Sequence, residues 1–465
     1  MTENNGLSPG WALSTIGKIC DTTSGGTPSR KVPSFYGGDI PWLKSGELND
    51  SLIYEIEEFI TEDGLQNSSA KIFPQGTLVI ALYGATVGRL GILGIDAATN
   101  QAICALFPPE ELDKKFLFWF LRKQRDELLK ARIGGAQPNI SQTILRAVEI
   151  PIPPRPEQER IVAKIEELFT QLEAGVTELQ QAKAQLQRYR QAVLKSAVEG
   201  ELTREWRKAR GKGGSEIRPD ESAEKLLARI LSERRAKWEE GQETGDGRRK
   251  KKYKEPAPPD TDGLPELPEG WVWATMPQIG ELNRGKSKHR PRNAPHLYGG
   301  PYPFVQTGDV RHANGILREY SQTYSEDGLA QSRLWPEGTL CITIAANIAD
   351  TAILGFDACF PDSVVGFLAD PKHCNIRYLE YFLRTAKTDL ERYAPATAQK
   401  NINLKILSEV AIPLPSLEEQ NVFFAKVERR LSVADEIEKE LDQALARAER
   451  LRQSILKRAF EGRLV

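Results

Sequence analysis

The chain has 465 residues, 40% hydrophobic and 27% charged, with 63 Lys and Arg against 64 Asp and Glu. That length accommodates two or three domains with their own cores, and the near-zero net charge excludes a uniformly basic nucleic-acid binder, so any such partner must be met by local positive charge. No apolar run is long enough to span a bilayer.

Residues 1–5 do not read as a secretory leader. The cysteines Cys20, Cys104, Cys341, Cys359 and Cys374 are scattered and never spaced C-x-x-C. This argues against a disulfide framework or a zinc site and suits a reducing cytoplasm.

In chain order, the elements begin with a globular region over residues 1–153. Within it, Thr77-Leu78-Val79-Ile80-Ala81-Leu82 reads as a buried strand between turn residues, and residues 116–130 read as a helix. Ile150-Pro151-Ile152-Pro153 closes the region. Residues 154–203 read as a first spacer helix, proline-free from Glu157 to Glu199, with Pro156 in its first turn and Gly200 at its stop. Its apolar seam is Ile161, Ile165, Leu168, Leu172, Val176 and Leu179, then Leu186, Tyr189 and Val193.

Residues 204–262 read as a charged linker with one helix over 222–240 and the basic run Arg248-Arg249-Lys250-Lys251-Lys252. A second globular region, 263–415, repeats the pattern with a strand at Thr339-Leu340-Cys341-Ile342-Thr343-Ile344 and a helix over 376–393. Residues 416–465 form a second spacer helix, opened by the capping pattern Ser416-Leu417-Glu418-Glu419 and stopped at Gly462. Its seam is Val427, Leu431, Ala434, Leu441, Leu445, Ala448 and Ile455.

The two halves are copies. Tyr36-Gly37-Gly38 returns as Tyr298-Gly299-Gly300, Glu62-Asp63-Gly64-Leu65 as Glu326-Asp327-Gly328-Leu329, Pro74-Gln75-Gly76-Thr77 as Pro336-Glu337-Gly338-Thr339, and Glu199-Gly200 as Glu461-Gly462. The period is far too long for a solenoid. A helix of about 43 residues makes a rod of roughly 60 Å, too long to bury its seam on one small domain, so the simplest partner is the other rod. The expected fold is α+β: two similar globular domains separated by two long helices that pair as an antiparallel coiled coil, a pseudo-twofold internal duplication.

Catalytic patterns fail one by one. Gly280-Glu281-Leu282-Asn283-Arg284-Gly285-Lys286-Ser287 matches the spelling of a P-loop, but a working P-loop needs a helix N-terminus behind it. Pro291 and Pro295 follow too soon for that. No Glu-x-Lys triplet of the metal-dependent nucleases occurs, nor an Asn/Asp-Pro-Pro-aromatic tetrapeptide of amino-methyltransferases. His289, His296, His312 and His373 have no metal-ligand spacing. The expectation is a non-catalytic chain with no catalytic residue, metal or cofactor of its own.

The duplication, with Gly25-Gly26-Thr27-Pro28-Ser29, Ile40-Pro41-Trp42-Leu43, Gly84-Ala85-Thr86-Val87-Gly88, the Ile-Pro-Ile/Leu-Pro closures leading into Glu157-Gln158 and Glu419-Gln420, and the helix-end pair Arg190-Gln191-Ala192-Val193-Leu194 and Arg452-Gln453-Ser454-Ile455-Leu456, resembles the DNA specificity subunit of type I restriction–modification enzymes. The second half departs where Ala345-Ala346-Asn347 replaces the Gly-Ala-Thr-Val-Gly turn.

The resemblance implies that the globular halves are target recognition domains, each reading one half of a bipartite, asymmetric site in double-stranded DNA. The paired helices would set the gap and dock two modification (methyltransferase) subunits. Restriction/translocase subunits would join them, S-adenosylmethionine, ATP and Mg would sit on those partners, and the complex would work in the cytoplasm away from any membrane.

Base readout needs Arg, Lys, Asn, Gln, Ser or Thr at the groove, and phosphate contacts set the register. The candidate DNA-binding residues are Thr27, Ser29, Arg30, Lys31, Lys44, Ser45, Tyr83 and Arg89 in the first half. In the second they are Arg284, Lys286, Lys288, Arg290, Arg292, Gln306, Arg311 and Asn347. Acidic residues are expected to concentrate on the long helices, which would explain a neutral total. The competing readings are a coiled-coil scaffold that never touches DNA and an ATPase built on Gly285-Lys286-Ser287.

Overall fold

The computed structural model describes residues 8–130, 139–212, 222–243, 252–313, 315–344, 349–392 and 404–465. The longer helices are α1 (Lys114–Lys130), α2 (Arg155–Val198), α3 (Arg204–Lys212), α4 (Ala223–Glu243), α5 (Ile376–Arg392) and α6 (Leu417–Phe460). The chain divides into two compact units, Met1–Ala182 with Glu440–Val465, and Lys183–Lys439.

In the first unit a five-stranded sheet runs in the spatial order Asp21–Ser24, Ile103–Phe107, Leu78–Ala81, Leu90–Leu93, Ser51–Ile53. Only the last pairing is parallel. Leu78–Ala81 is buried at every position, which is why it reads as an unbroken apolar run rather than an alternating one. A smaller sheet orders Phe59–Ile60, Tyr36–Leu43, Ala97–Thr99 and Ile72–Phe73. Ala12–Thr15 pairs antiparallel with Glu149–Ile152 and closes the globular part just before α2.

One face of the large sheet packs on α1. Leu78, Ile80, Phe116, Leu117 and Phe120 share a core cluster with Ile161, Ile165 and Phe169 of α2 and with Ile455, Leu456, Ala459 and Phe460 of α6. The Phe460 ring meets Phe116 and Phe120 at 5.1 and 5.3 Å, and Arg452 reaches Glu173 at 3.8 Å. The start of α2 thus lies beside the end of α6, an antiparallel pairing.

The second unit repeats the plan. Its five-stranded sheet runs Glu281–Arg284, Val364–Leu368, Leu340–Thr343, Thr351–Leu354, Ile316–Leu317. Tyr298–Phe304 pairs with Gln322–Tyr324, and Val272–Thr275 with Ala411–Leu414. Here the end of α2 meets the start of α6: Ala197 clusters with Phe423 and Val427, and Arg190 bonds Asp435 and pairs with Glu438 at 2.9 Å. Arg190–Asp435 and Arg452–Glu173 occupy matching positions of the repeat, so the same interhelical ion pair is made once in each unit.

The helix ends follow the predicted signals. Pro156 sits in the first turn of α2, and Gly200 and Gly462 take left-handed φ values of 75° and 69° beyond the two stops. Ser416 caps α6 by accepting from the Glu419 amide at 3.3 Å. The Glu419 carboxylate accepts from Thr203 Oγ1 at 2.6 Å and pairs with Arg207.

The structure corrects several expectations. Residues 204–262 carry two helices, α3 and α4, rather than one. Helix α4 is part of a core rather than a linker element: Leu226 and Ile230 are buried with Met276 and Ile279, and Arg234 donates to the Gly280 carbonyl at 2.9 Å. Ala223, Leu226 and Ile230 recur at helical spacing, and burying that stripe outweighs the polar composition around it. Most of the basic run 248–252 lies outside the described residues.

Tyr189, expected in the seam, is 44% exposed, while Phe169 is buried at 3%. The long helices are not acidic: α2 carries six acidic and seven basic residues, and α6 nine of each.

Candidate nucleic-acid interface

In the first unit the candidate residues gather around the loop 25–31 and the strand Tyr36–Leu43. Gly25 and Gly26 let that loop lie against Thr99 and Ser69, where a Cβ would come within 2.4 Å of neighbouring atoms. Tyr36 Oη donates to the Pro28 carbonyl and ties the loop down. Thr27 Oγ1 bonds Gln101, and Gln101 also bonds Tyr83, whose phenol burial pushes to higher pKa.

The Arg30 guanidinium stacks 4.2 Å from the Tyr36 ring centroid and 5.2 Å from that of Trp42 while its two nitrogens grip both oxygens of Glu58. Lys44 Nζ lies 3.5 Å from Glu58 and 3.6 Å from Glu57. The hydrogen bonds from Arg30 hold the Glu58 carboxyl below the usual glutamate range and raise Arg30 in turn.

Thr86 Oγ1 donates to the Ser45 carbonyl at 2.6 Å, which draws the Gly84–Gly88 turn onto the same face. Ser29, Lys31 and Arg89 are exposed around it. Seven of the eight first-half candidates therefore belong to one neighbourhood, and Arg89 stands at its edge past Gly88.

In the second unit the loop that begins at Arg284 holds the cations. Tyr298 Oη donates to the Arg292 carbonyl at 2.7 Å, the same tether as Tyr36 in the first copy. Arg284, Lys286 and Lys288 are exposed. Arg290 turns back to the Ser287 and His289 carbonyls, each at 2.8 Å, and so braces its own loop. Arg292 pairs with both oxygens of Asp362 at 2.9 Å.

Gln306 and Arg311 sit on another element, at and within the short helix Thr307–His312. Gln306 Nε2 donates to Gln322 at 2.7 Å. Asn347 lies outside the described residues.

The P-loop spelling has the wrong backbone for its chemistry. Glu281–Arg284 is a strand paired with Val364–Leu368. The Gly285 amide donates to Val364 at 2.9 Å and the Lys286 amide to Phe360 at 3.1 Å, so these donors are taken by the sheet. Among the described residues no His, Cys, Asp or Glu group could hold a metal ion, and no helix is long and apolar enough to cross a membrane.

The sequence reading missed Glu58, Gln101 and Asp362, which contact the candidate cations and Thr27. Neither Glu58 nor Asp362 has an acidic counterpart in the other copy, where Gln322 and Gln101 stand, so the repeat gave no cue to them.

An internally duplicated α+β protein, each copy with a tethered cationic loop above a five-stranded sheet and an antiparallel pair of helix segments, is the class these features define. A model of the type I restriction modification DNA specificity domain matches residues 9–183 and 268–447, and the chain belongs to that family.

Similar proteins include the type I restriction enzyme EcoDI specificity subunit of Escherichia coli, 28% identical over 77% of this chain and 71% of that one. The EcoKI specificity subunit of E. coli strain K12 is 25% identical over 98% and 90%. In fold, the chain resembles a chain of a solved type I R-M system with a TM-score of 0.71 at 19% identity, covering 98% of this chain and 99% of that one. It also resembles the HsdS subunit from Thermoanaerobacter tengcongensis, with a TM-score of 0.56 at 20% identity over the whole of both.

Proposed function

We propose that each unit reads one half of a bipartite, asymmetric site in double-stranded DNA, through the loops carrying Thr27 to Lys31 in one copy and Arg284 to Arg292 in the other. The observation that carries this is the repeated tether: Tyr36 and Tyr298, at one position of the repeat, each fix the loop that presents arginine. A loop held by its backbone while its cations face outward meets the requirement for base and phosphate contact. The chain supplies recognition only. Adenine methylation with S-adenosylmethionine, and ATP- and Mg-dependent translocation and cleavage, belong to partner subunits in the cytoplasm.

The long helices set the gap between half-sites and dock two modification subunits. Two features support two equivalent docking places. Tyr189 and Leu451 occupy the same repeat position, and both are exposed, at 44% and 49%. Each is flanked by arginines, Arg188 and Arg190 or Arg450 and Arg452. Beside Tyr189 a groove of about 360 Å³ is lined by Leu202, Lys426, Arg429, Arg430 and Val433.

Co-expression with the neighbouring methyltransferase, followed by genome-wide mapping of methylated adenine, tests the reading. A single bipartite motif with a fixed gap is expected. Methylation without sequence dependence would leave only a protein scaffold.

A further inference from the structure

The cations offered to DNA are not idle in the free chain. Arg30 is laid flat against Tyr36 and Trp42 and closed at its nitrogens by Glu58. The same carboxylate lies 3.5 Å from Lys44. In the other unit Asp362 closes on Arg292, whose carbonyl is already held by Tyr298. Glu58 and Asp362 come from unrelated positions of the repeat, so each copy has acquired its own counter-charge for a loop arginine. With the long helices balanced in charge, part of the acid that neutralises the chain lies on the reading face itself.

We propose that Glu58 and Asp362 are specificity-determining latches that suppress binding to DNA of the wrong sequence; this rests on the DNA-reading function above. A random duplex offers Arg30 or Arg292 only phosphate, a contact any sequence makes and salt weakens. Such a contact must compete with a carboxylate already seated on the guanidinium. A cognate half-site adds bidentate bonds to base edges, which offset the opening of the latch. Correct DNA therefore releases the arginine, and incorrect DNA leaves it paired, its charge already neutralised by the carboxylate. The latch works by penalising the wrong partner rather than improving the right one.

The test uses the full chain, a random-sequence duplex and a duplex carrying the motif read from the methylation map, with binding followed by fluorescence anisotropy across a salt series. Glu58→Gln is expected to tighten random-duplex binding about fivefold and to steepen the slope of log K against log salt by about one. Its effect on the cognate duplex is smaller, so discrimination falls. Asp362→Asn, in the other unit, does the same independently and carries the test if Glu58→Gln fails to fold. In an Arg30→Gln/Lys44→Gln background, Glu58→Gln should lose its effect.

Random-duplex affinity and salt slope that stay unchanged in both single variants, while the wild type binds DNA, overturn the latch alone. An undiminished Glu58→Gln effect in the Arg30→Gln/Lys44→Gln background overturns it as well. A wild type that binds neither duplex at low salt overturns the DNA-reading function and the latch with it.

Discussion

Arg125 on α1 pairs with Asp50, ahead of the strand Ser51–Ile53, and donates through Nε to the Gly88 carbonyl at 2.8 Å. Asp50 also accepts from the Leu90 amide at 2.9 Å. Helix, strand edge and the Gly84–Gly88 turn are thereby fastened at one point. Burial raises the Asp50 carboxyl, but the bonds from Arg125 and Leu90 outweigh it and hold the group below the usual aspartate range. In the second copy Lys387, at the matching position on α5, pairs instead at 2.9 Å with Asp350, which lies ahead of the strand Thr351–Leu354, a different place in the repeat from Asp50.

Arg125→Ala should cost about 2–3 kcal/mol, because it leaves a largely buried carboxylate without its partner. Chemical denaturation of the full chain measures this. A carboxyl lowered on folding stabilises above its unfolded pKa, and that contribution is lost as pH falls through the folded value. The gap between wild type and Asp50→Asn should therefore close in acid. A gap that does not change with pH would show that the pair contributes nothing electrostatic.

Glu380 behaves in the opposite sense. It is buried on α5, where burial pushes its carboxyl up against the pull of Arg384 and Arg377. A raised folded pKa makes the native state hold more protons than the unfolded chain, so stability falls as pH rises from the ordinary glutamate value through the raised one. Glu380→Gln should remove that slope. Unfolding curves across this window, compared with wild type, give the answer, and parallel pH dependences would contradict it.

Phe460 is 6% exposed between Phe116 and Phe120. Phe460→Ala should cost about 3–5 kcal/mol and lower the melting of the first unit. Thermal melts followed by near-ultraviolet circular dichroism report it; an unchanged melt would mean that the end of α6 is dispensable there.

Tyr189→Asp and Leu451→Asp alter exposed residues and should leave folding within about 0.5 kcal/mol. If these positions dock modification subunits, each should remove one of two bound copies, and the double variant both, as read by mass photometry of the co-purified complex. Full occupancy in the double variant would place the docking elsewhere.

Exchanging residues 1–153 for those of another family member should alter one half-motif and preserve the other in the methylation map. Inserting four residues into both long helices should lengthen the gap with each half unchanged. Simultaneous change of both halves would contradict modular reading.

Much of the fold was legible because the repeat states it twice. Leu78–Ala81 and Leu340–Thr343 are runs too apolar to be anything but buried strands, and Pro156, Gly200 and Gly462 mark the ends of helices whose 44-residue lengths follow. The candidate face was legible only by residue type. Arg30 and Arg292 stand out as cations in Gly- and Pro-rich loops, but their carboxylates lie 28 and 70 residues away, and no local pattern encodes such pairings. Helix α4 was misread because charge dominates its composition, while three buried positions decide its place.

That helix has a practical consequence for exchanging reading heads. Leu226 and Ile230 pack in one core with Met276 and Ile279, so a graft that begins at residue 263 would carry an apolar scar open to water. The transplantable piece of the second half starts upstream of Ala223, and its reading loops travel with that buttress.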